Sequence, residues 1–253
     1  MSDAPRLSVV IPAHNEGDGL EDTLTALSAG LTGAAIQHEI VVVNDNSTDQ
    51  TVATLEQLCL RIPDLRWVHN PRTSGYGLAV RAGIEASQGD AVAVYMADAS
   101  DRPEDLVRFY RTMVEQGVDC VFGTRFSRES NVYEYPWPKL ILNRAANKFI
   151  QVLFGMRYND VTNAFKLYGR RALEGSQPYL SHHFNLTVEL PLKAIVRGYS
   201  YAVVPNDWIN RKTDESKLKI REMGSRYLFI VLYCLIEKWL SRGDYHRGDK
   251  PSG

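Results

Sequence analysis

The chain has 253 residues, 44% of them hydrophobic and 23% charged, with 18 Gly, 11 Pro and 3 Cys, a balance that excludes collagenous, disordered and disulfide-scaffold proteins. The formal net charge is only −1, yet residues 1–104 hold 15 acids and 6 bases (−9) while residues 105–253 hold 15 acids and 23 bases (+8), so an acidic half is joined to a basic one. Cys59, Cys120 and Cys234 are widely separated and lack any paired Cys or His spacing, which points away from zinc and disulfides and toward a reducing cytoplasm.

No basic stretch followed by a long apolar run opens the chain, so no secretory signal is expected. Leu7 to Ile11 and Glu39 to Val43 are β-branched runs that end in polar loops, as in strands buried on both faces of a parallel sheet. Between them Leu20, Leu24, Leu27 and Leu31 recur at helical spacing, completing a βαβ unit over Gly19 to Leu31. Thr51 to Leu60 reads as a helix with Asn46, Ser47 or Thr48 as its N-cap. Trp67 to His69 is a brief strand, Gly77 to Glu85 a helix and Ala91 to Met96 a strand. This alternation predicts an open, mainly parallel α/β sheet with ligands at the carboxyl ends of its strands.

Beyond Pro103 the pattern predicts a helix over Glu104 to Gln116, a strand over Asp119 to Phe122 and a loop from Arg125 to Pro138. The helix over Lys139 to Phe154 aligns Lys139, Asn143, Asn147 and Gln151 in one polar row, with Leu142, Ala145, Phe149 and Leu153 on the other side. It reads either as an ordinary surface helix or as a membrane-facing one. Glu189 to Arg197 is expected to be helical, Tyr201 to Val204 a strand, and Gly224 to Leu240 an amphipathic helix that closes the core or lies at a membrane interface. The longest apolar run, Tyr227 to Ile236, has 10 residues, half of the roughly 20 a spanning helix needs. Residues 1–242 form one expected domain, divided into 1–104, 105–220 and an amphipathic 221–242, with a flexible tail over 243–253.

Chemistry concentrates where the early strands end: PAHNE (Pro12 to Glu16), NDNSTDQT (Asn44 to Thr51) and ADASDRPED (Ala97 to Asp105). Sheet topology brings Glu16, Asp45 and Asp98 to one crevice, where gathered carboxylates are costly unless they bind a metal or donor groups. Further along stand GTR (Gly123 to Arg125), NRAAN (Asn143 to Asn147), DVTNAFK (Asp160 to Lys166), the Phe184 to Glu189 segment and RKTDESKL (Arg211 to Leu218).

The three loops resemble the nucleotide-binding half of the family 2 glycosyltransferases, which have the Rossmann-like GT-A fold, and the later series resembles, in the same order, the dolichol-phosphate mannose synthase branch. The resemblance spans residues 7 to 220. It implies that Pro12, Asn15 and Glu16 line the nucleotide pocket, that Asp45 reaches the base or ribose, and that Asp98 binds Mg²⁺ or Mn²⁺ against the donor diphosphate. The first acid of the family's DxD element falls here on Met96 or Ala97, and Asp101 is the candidate to complete the metal site. Asn44, Ala164 and Asp214 also depart from the family pattern, which leaves the sugar open among GDP-, UDP- and dTDP-linked donors.

On the acceptor side, the resemblance puts Arg125, Lys139 and Arg211 where basic groups meet the phosphate of a polyprenyl phosphate, with Asn143 and Ser216 beside them. A phosphate nucleophile is already anionic and needs no general base. The expectation is therefore an inverting, metal-dependent transferase, peripheral on the cytoplasmic face of a membrane, with or without a separate membrane-anchor subunit. Two alternatives stand beside it: transfer to a soluble glycan or small-molecule hydroxyl with Glu189 as base, and a catalytically silent nucleotide-sugar-binding membrane adaptor. Glu189 also reads as a partner for a basic residue on its own helix face. No nucleic-acid partner is expected, because no recognition helix or stacking motif organises the basic residues.

Overall fold

The computed structural model describes residues 5–133, 137–209 and 220–247, with side chains from Gly224 onward in the last stretch. β1 (Leu7–Ala13), α1 (Leu20–Gly33), β2 (His38–Asn44), α2 (Thr51–Cys59), β3 (Leu65–His69), α3 (Tyr76–Ala86) and β4 (Ala91–Val94) alternate as the hydrophobic pattern predicts. There follow α4 (Pro103–Gln116), β5 (Cys120–Thr124), β6 (Val132–Tyr133), α5 (Trp137–Phe154), β7 (Lys166–Gly169) and α6 (Arg170–Gly175). α7 (Leu186–Val196), β8 (Tyr201–Pro205), β9 (Trp208–Ile209) and α8 (Ile220–Leu240) complete the series.

Among the described residues seven strands form one sheet in the order β3-β2-β1-β4-β7-β5-β8. Every neighbouring pair is parallel except those of β7, which is antiparallel to both β4 and β5. The two-residue period of β1 sorts its side chains. Leu7, Val9 and Ile11 pack with Leu24 of α1, Leu55 of α2 and Phe109 of α4, while Val10 packs with Ala79 of α3, Leu190 of α7 and Ile230 of α8. The expected open, mainly parallel α/β sheet flanked by helices is what forms, with β7 as its antiparallel member.

Three local expectations are corrected and one, for α8, is met. The N-cap of α2 was expected at Asn46, Ser47 or Thr48, but it falls on Gln50, whose side chain makes no cap bond; Asp49 Oδ1 instead accepts the Thr51 N–H (3.0 Å) and the Thr51 hydroxyl (2.5 Å). The polar row of α5 is split: Asn147 is fully buried and Asn143 half-buried, Lys139 is exposed, and Trp137, Ile141, Leu142, Phe149 and Val152 are exposed as well. α8 buries Ile230, Val231, Cys234 and Leu235, as a helix that closes the core does, and leaves Leu228, Phe229, Leu232, Ile236, Trp239 and Leu240 exposed. It packs against α5, and Lys238 Nζ donates to the Phe154 carbonyl. The start of the expected tail is folded back: Arg247 N donates to Arg197 O (2.9 Å), and Tyr245 lies under the Arg197 guanidinium. Among the described residues no helix is long and apolar enough to cross a membrane.

Candidate active site

The loops after β1 and β2 are laced together. Asn15 and Asn46 take left-handed backbone (φ 57° and 59°), a conformation Asn tolerates better than most residues. Asn15 N donates to Ser47 Oγ (3.0 Å), Asn15 Oδ1 accepts from Thr48 N (2.8 Å), and Glu16 N donates to Thr51 Oγ1 (3.0 Å). Pro12 is the penultimate residue of β1, opposite Val43 of β2. Asp45 is buried, and its carboxylate accepts from Asn70 Nδ2 (2.7 Å), Ser74 Oγ (3.0 Å) and Gly75 N (2.8 Å). It therefore fixes the turn into α3.

That turn needs glycine. A Cβ at Gly77 would lie 2.7 Å from Ser181 O, 2.8 Å from His182 C and 2.9 Å from His183 O, so α3 and the segment before α7 touch backbone to backbone. Gly77→Ala should cost about 2 kcal/mol through overpacking, read as a lower thermal midpoint.

The acidic loop after β4 supplies the strongest charge conflict. Asp98 is half-buried and accepts from Ser100 N (3.0 Å). Asp101 is buried, its Oδ2 has no hydrogen-bond partner, and burial together with the neighbouring Asp98 pushes its pKa up to about 8, against the pull of Arg125. Beside them the Tyr76 hydroxyl is also buried without a partner, and burial with Asp101 raises its pKa. Its ring stacks on Phe184 at 4.1 Å. An orphaned carboxylate oxygen next to a second carboxylate fits a hard divalent cation, which takes oxygen ligands and keeps waters or phosphate oxygens in its other positions. The expected convergence of three carboxylates is met only in part. Asp45 is spent on the α3 turn, and among the described residues no three His, Cys, Asp or Glu side chains gather to hold a metal.

Across the sheet edge, Arg125 is buried and bidentate on Asp160: Nε to Oδ2 at 2.9 Å and Nη2 to Oδ1 at 2.7 Å, with Arg125 N also donating to Oδ2. The expected phosphate ligand thus has a carboxylate on its fork. Thr162 continues the network, donating to Asn143 Oδ1 (2.7 Å) and accepting from Asn147 Nδ2 (2.8 Å). This explains why Asn143 and Asn147 of α5 turn inward. Lys139, one turn before Asn143, is exposed at the start of that helix. β9 carries the chain past the acidic loop, where Ile209 N donates to Ser100 O (3.4 Å). Arg211 and Ser216, which follow, lie outside the described residues.

Lys166, fully buried at the start of β7, donates from Nζ to the carbonyls of Val161, Asn163 and Thr187. Pro191 of α7 has no N–H to offer the Thr187 carbonyl, and Lys166 takes its place. Burial lowers the Lys166 pKa to about 7, opposed by Asp160.

Glu189 is not available as a base. It is fully buried, Oε1 accepts from Leu180 N and Lys193 Nζ (each 2.7 Å), and Oε2 accepts from Ser181 N (2.7 Å). The reading as partner of a basic residue on its own helix is the correct one. Glu189→Gln should cost about 2 kcal/mol in urea unfolding and leave the kcat of the folded protein unchanged; a base would lose about 100-fold or more.

The family model described as Glycosyl transferase family 2 matches residues 8–176. The chain belongs to glycosyl transferase family 2. Polyprenol monophosphomannose synthase of Mycolicibacterium smegmatis is 32% identical over 219 residues, 84% of this chain and 81% of that protein. This supports the branch whose motifs the sequence resembles. An uncharacterized glycosyltransferase of Synechocystis is 34% identical over 170 residues, 66% of this chain and 51% of that one. Among solved structures, M. tuberculosis glucosyl-3-phosphoglycerate synthase aligns with a TM-score of 0.68 at 16% identity, covering 98% of this chain and 82% of that one. S. aureus TarS in complex with UDP-GlcNAc aligns at 0.67 and 16%, covering 95% and 69%. These two share the GT-A architecture with this family 2 member, which is a nucleotide-sugar glycosyltransferase. The adaptor reading falls with that assignment.

Sequence reasoning missed Tyr76, Asp160 and Lys166 as functional or site-building residues. Asp160 and Lys166 had a signal, since both stand in the DVTNAFK motif. Tyr76 had only its flanking glycines.

Proposed function

We propose that this enzyme moves a sugar from a nucleotide donor to a polyprenyl phosphate, with inversion at the anomeric carbon. The observation that carries the acceptor is the reversed amphipathicity of α5. Asn143 and Asn147 join the Arg125–Asp160 network inside, while Trp137, Ile141, Leu142, Phe149 and Val152 stand exposed on the same helix. With the exposed side chains of the adjoining α8 they offer an apolar surface beside a polar site, which is what a charged headgroup on a lipid tail requires. The relative named as a polyprenol monophosphomannose synthase supports the same acceptor.

In this reading Pro12, Asn15, Glu16 and Asp45 shape the nucleotide pocket. Asp98 and Asp101 would hold Mg²⁺ or Mn²⁺, and the chemistry such an ion supplies is neutralisation of charge on the departing nucleoside diphosphate. Arg125, Lys139 and Asn143 position the acceptor phosphate; Arg211 and Ser216 join them on sequence alone. The phosphate attacks the anomeric carbon as the bond to the diphosphate breaks, and no side chain need remove a proton. Residues 1–242 work as one domain, peripheral on the cytoplasmic face of a membrane, with lipid or a membrane-anchor subunit over the apolar faces of α5 and α8.

The test is a donor panel of GDP-, UDP- and dTDP-sugars with a polyprenyl phosphate and Mg²⁺ or Mn²⁺, scored for lipid-soluble product. One donor should give such a product. Transfer only to water-soluble hydroxyl acceptors would overturn the reading.

A further inference from the structure

The buried bases of this chain are not equivalent. Among the described residues Arg125, Lys193 and Arg197 are buried against carboxylates, those of Asp160, Glu189 and Glu237. Lys166, equally buried, forms no ion pair with any described residue. Its Nζ donates to backbone alone: the carbonyls of Val161 (3.1 Å), Asn163 and Thr187 (3.2 Å). Three acceptors satisfy the three N–H bonds of an ammonium, yet a charge taken out of water without a counter-charge is costly. For α7 alone that charge is unneeded, since any residue other than Pro at 191 would supply the N–H that the Thr187 carbonyl lacks.

The three carbonyls belong to two sides of the site. Val161 and Asn163 flank Thr162 and follow Asp160, the residues that hold Asn143 and Arg125. Thr187 lies in the first turn of α7 and is tied to Phe184, whose carbonyl accepts from Thr187 N (3.0 Å) and Thr187 Oγ1 (2.7 Å). The Phe184 ring in turn stacks on Tyr76, beside Asp98 and Asp101. One ammonium therefore bridges the loop on the acceptor side to the wall of the donor side.

We propose that Lys166 is a positioning residue for sugar transfer: its ammonium sets the spacing between the acceptor loop and the donor side, and so the approach of the acceptor oxygen to the anomeric carbon. The role rests on the assignment of Arg125 and Asn143 to the acceptor phosphate. Each substrate keeps its own ligands when Lys166 is lost, so the penalty falls on kcat and not on either KM. A shift of about 1 Å in the relative placement of two reactants costs about 10²-fold in rate.

Lys166→Met keeps the reach of the side chain and removes its N–H donors. With polyprenyl phosphate and the donor that the parent uses, it should lower kcat by about 10²-fold and leave both KM values within about threefold of the parent. The affinity for the matching nucleoside diphosphate, measured by calorimetry, should not change. A lower thermal midpoint is also expected, and Lys166→Met combined with Pro191→Ala separates it from the loss of turnover. The second substitution returns an N–H to the Thr187 carbonyl from within α7, so part of the midpoint should recover while kcat stays low. If neither protein folds, Lys166→Gln, which retains two N–H donors, decides, with kcat expected about tenfold down at unchanged KM. A kcat within about threefold of the parent in a folded variant, a kcat that returns together with the midpoint, or a loss carried by KM would overturn the proposal. A parent protein that gives no polyprenyl product overturns the acceptor reading itself, and this role with it.

Discussion

Asp98→Asn is expected to lower kcat/KM for sugar transfer by about 10³-fold, the scale on which removal of one charge-stabilising group acts in a transition state where charge develops. The fold should survive. Asp98 is only half-buried, and the bond it accepts from Ser100 N can be accepted by the Asn carbonyl oxygen. The substitution also relieves the repulsion on the buried Asp101, so the thermal midpoint should hold or rise while activity is lost. That opposition between stability and turnover is what a charged functional site produces and a structural carboxylate does not. Activity within about tenfold of the parent would remove Asp98 from the metal site.

Asp160→Ala is expected to cost about 3–5 kcal/mol, because it leaves the Arg125 guanidinium buried beside an empty place. Three bonds end at once: two from the guanidinium and one from Arg125 N. The network onward through Thr162 to Asn143 then loses its anchor, so the α5 end that carries Lys139 should loosen as well. Combining Asp160→Leu with Arg125→Met should return part of the stability, since a well-packed apolar pair replaces a buried ion pair at little cost. It should not return all of it, because the bond from the backbone amide at position 125 to the Asp160 carboxylate is still lost. Chemical unfolding separates the two variants from the parent. If Arg125 positions the acceptor phosphate, the double variant stays inactive however well it folds.

The sheet was legible because β-branched runs such as Leu7 to Ile11 and Glu39 to Val43 have few other uses, and the loops that follow them carry the acids. What stayed hidden depends on partners distant in sequence. The period of α5 separates its polar row from its apolar side, but only Thr162, packed against Asn143 and Asn147, decides that these two residues turn inward. Arg125 reads as a free base until Asp160, 35 residues later, is placed on its fork. Glu189 could be paired with Lys193 from their spacing, whereas the amides of Leu180 and Ser181 reach it through a fold back that no periodicity encodes. Tyr76 opens an apolar helix and looks like core; its hydroxyl matters only because Asp98 and Asp101 arrive from another strand.

The reversed strand β7 settles which motifs reach the reaction edge. In a wholly parallel sheet only the loops that leave strands meet there. β7 runs the other way, so Lys166, its first residue, pairs with Val94 near the end of β4 and with Phe122 of β5. The segment from Asp160 to Phe165 therefore enters the sheet at the edge from which the Asp98 loop and Arg125 depart. Had this strand been parallel, the same segment would arrive at the opposite rim, roughly 10 Å away across four residues. One change of direction thus lets an incoming loop and two outgoing ones build a single centre.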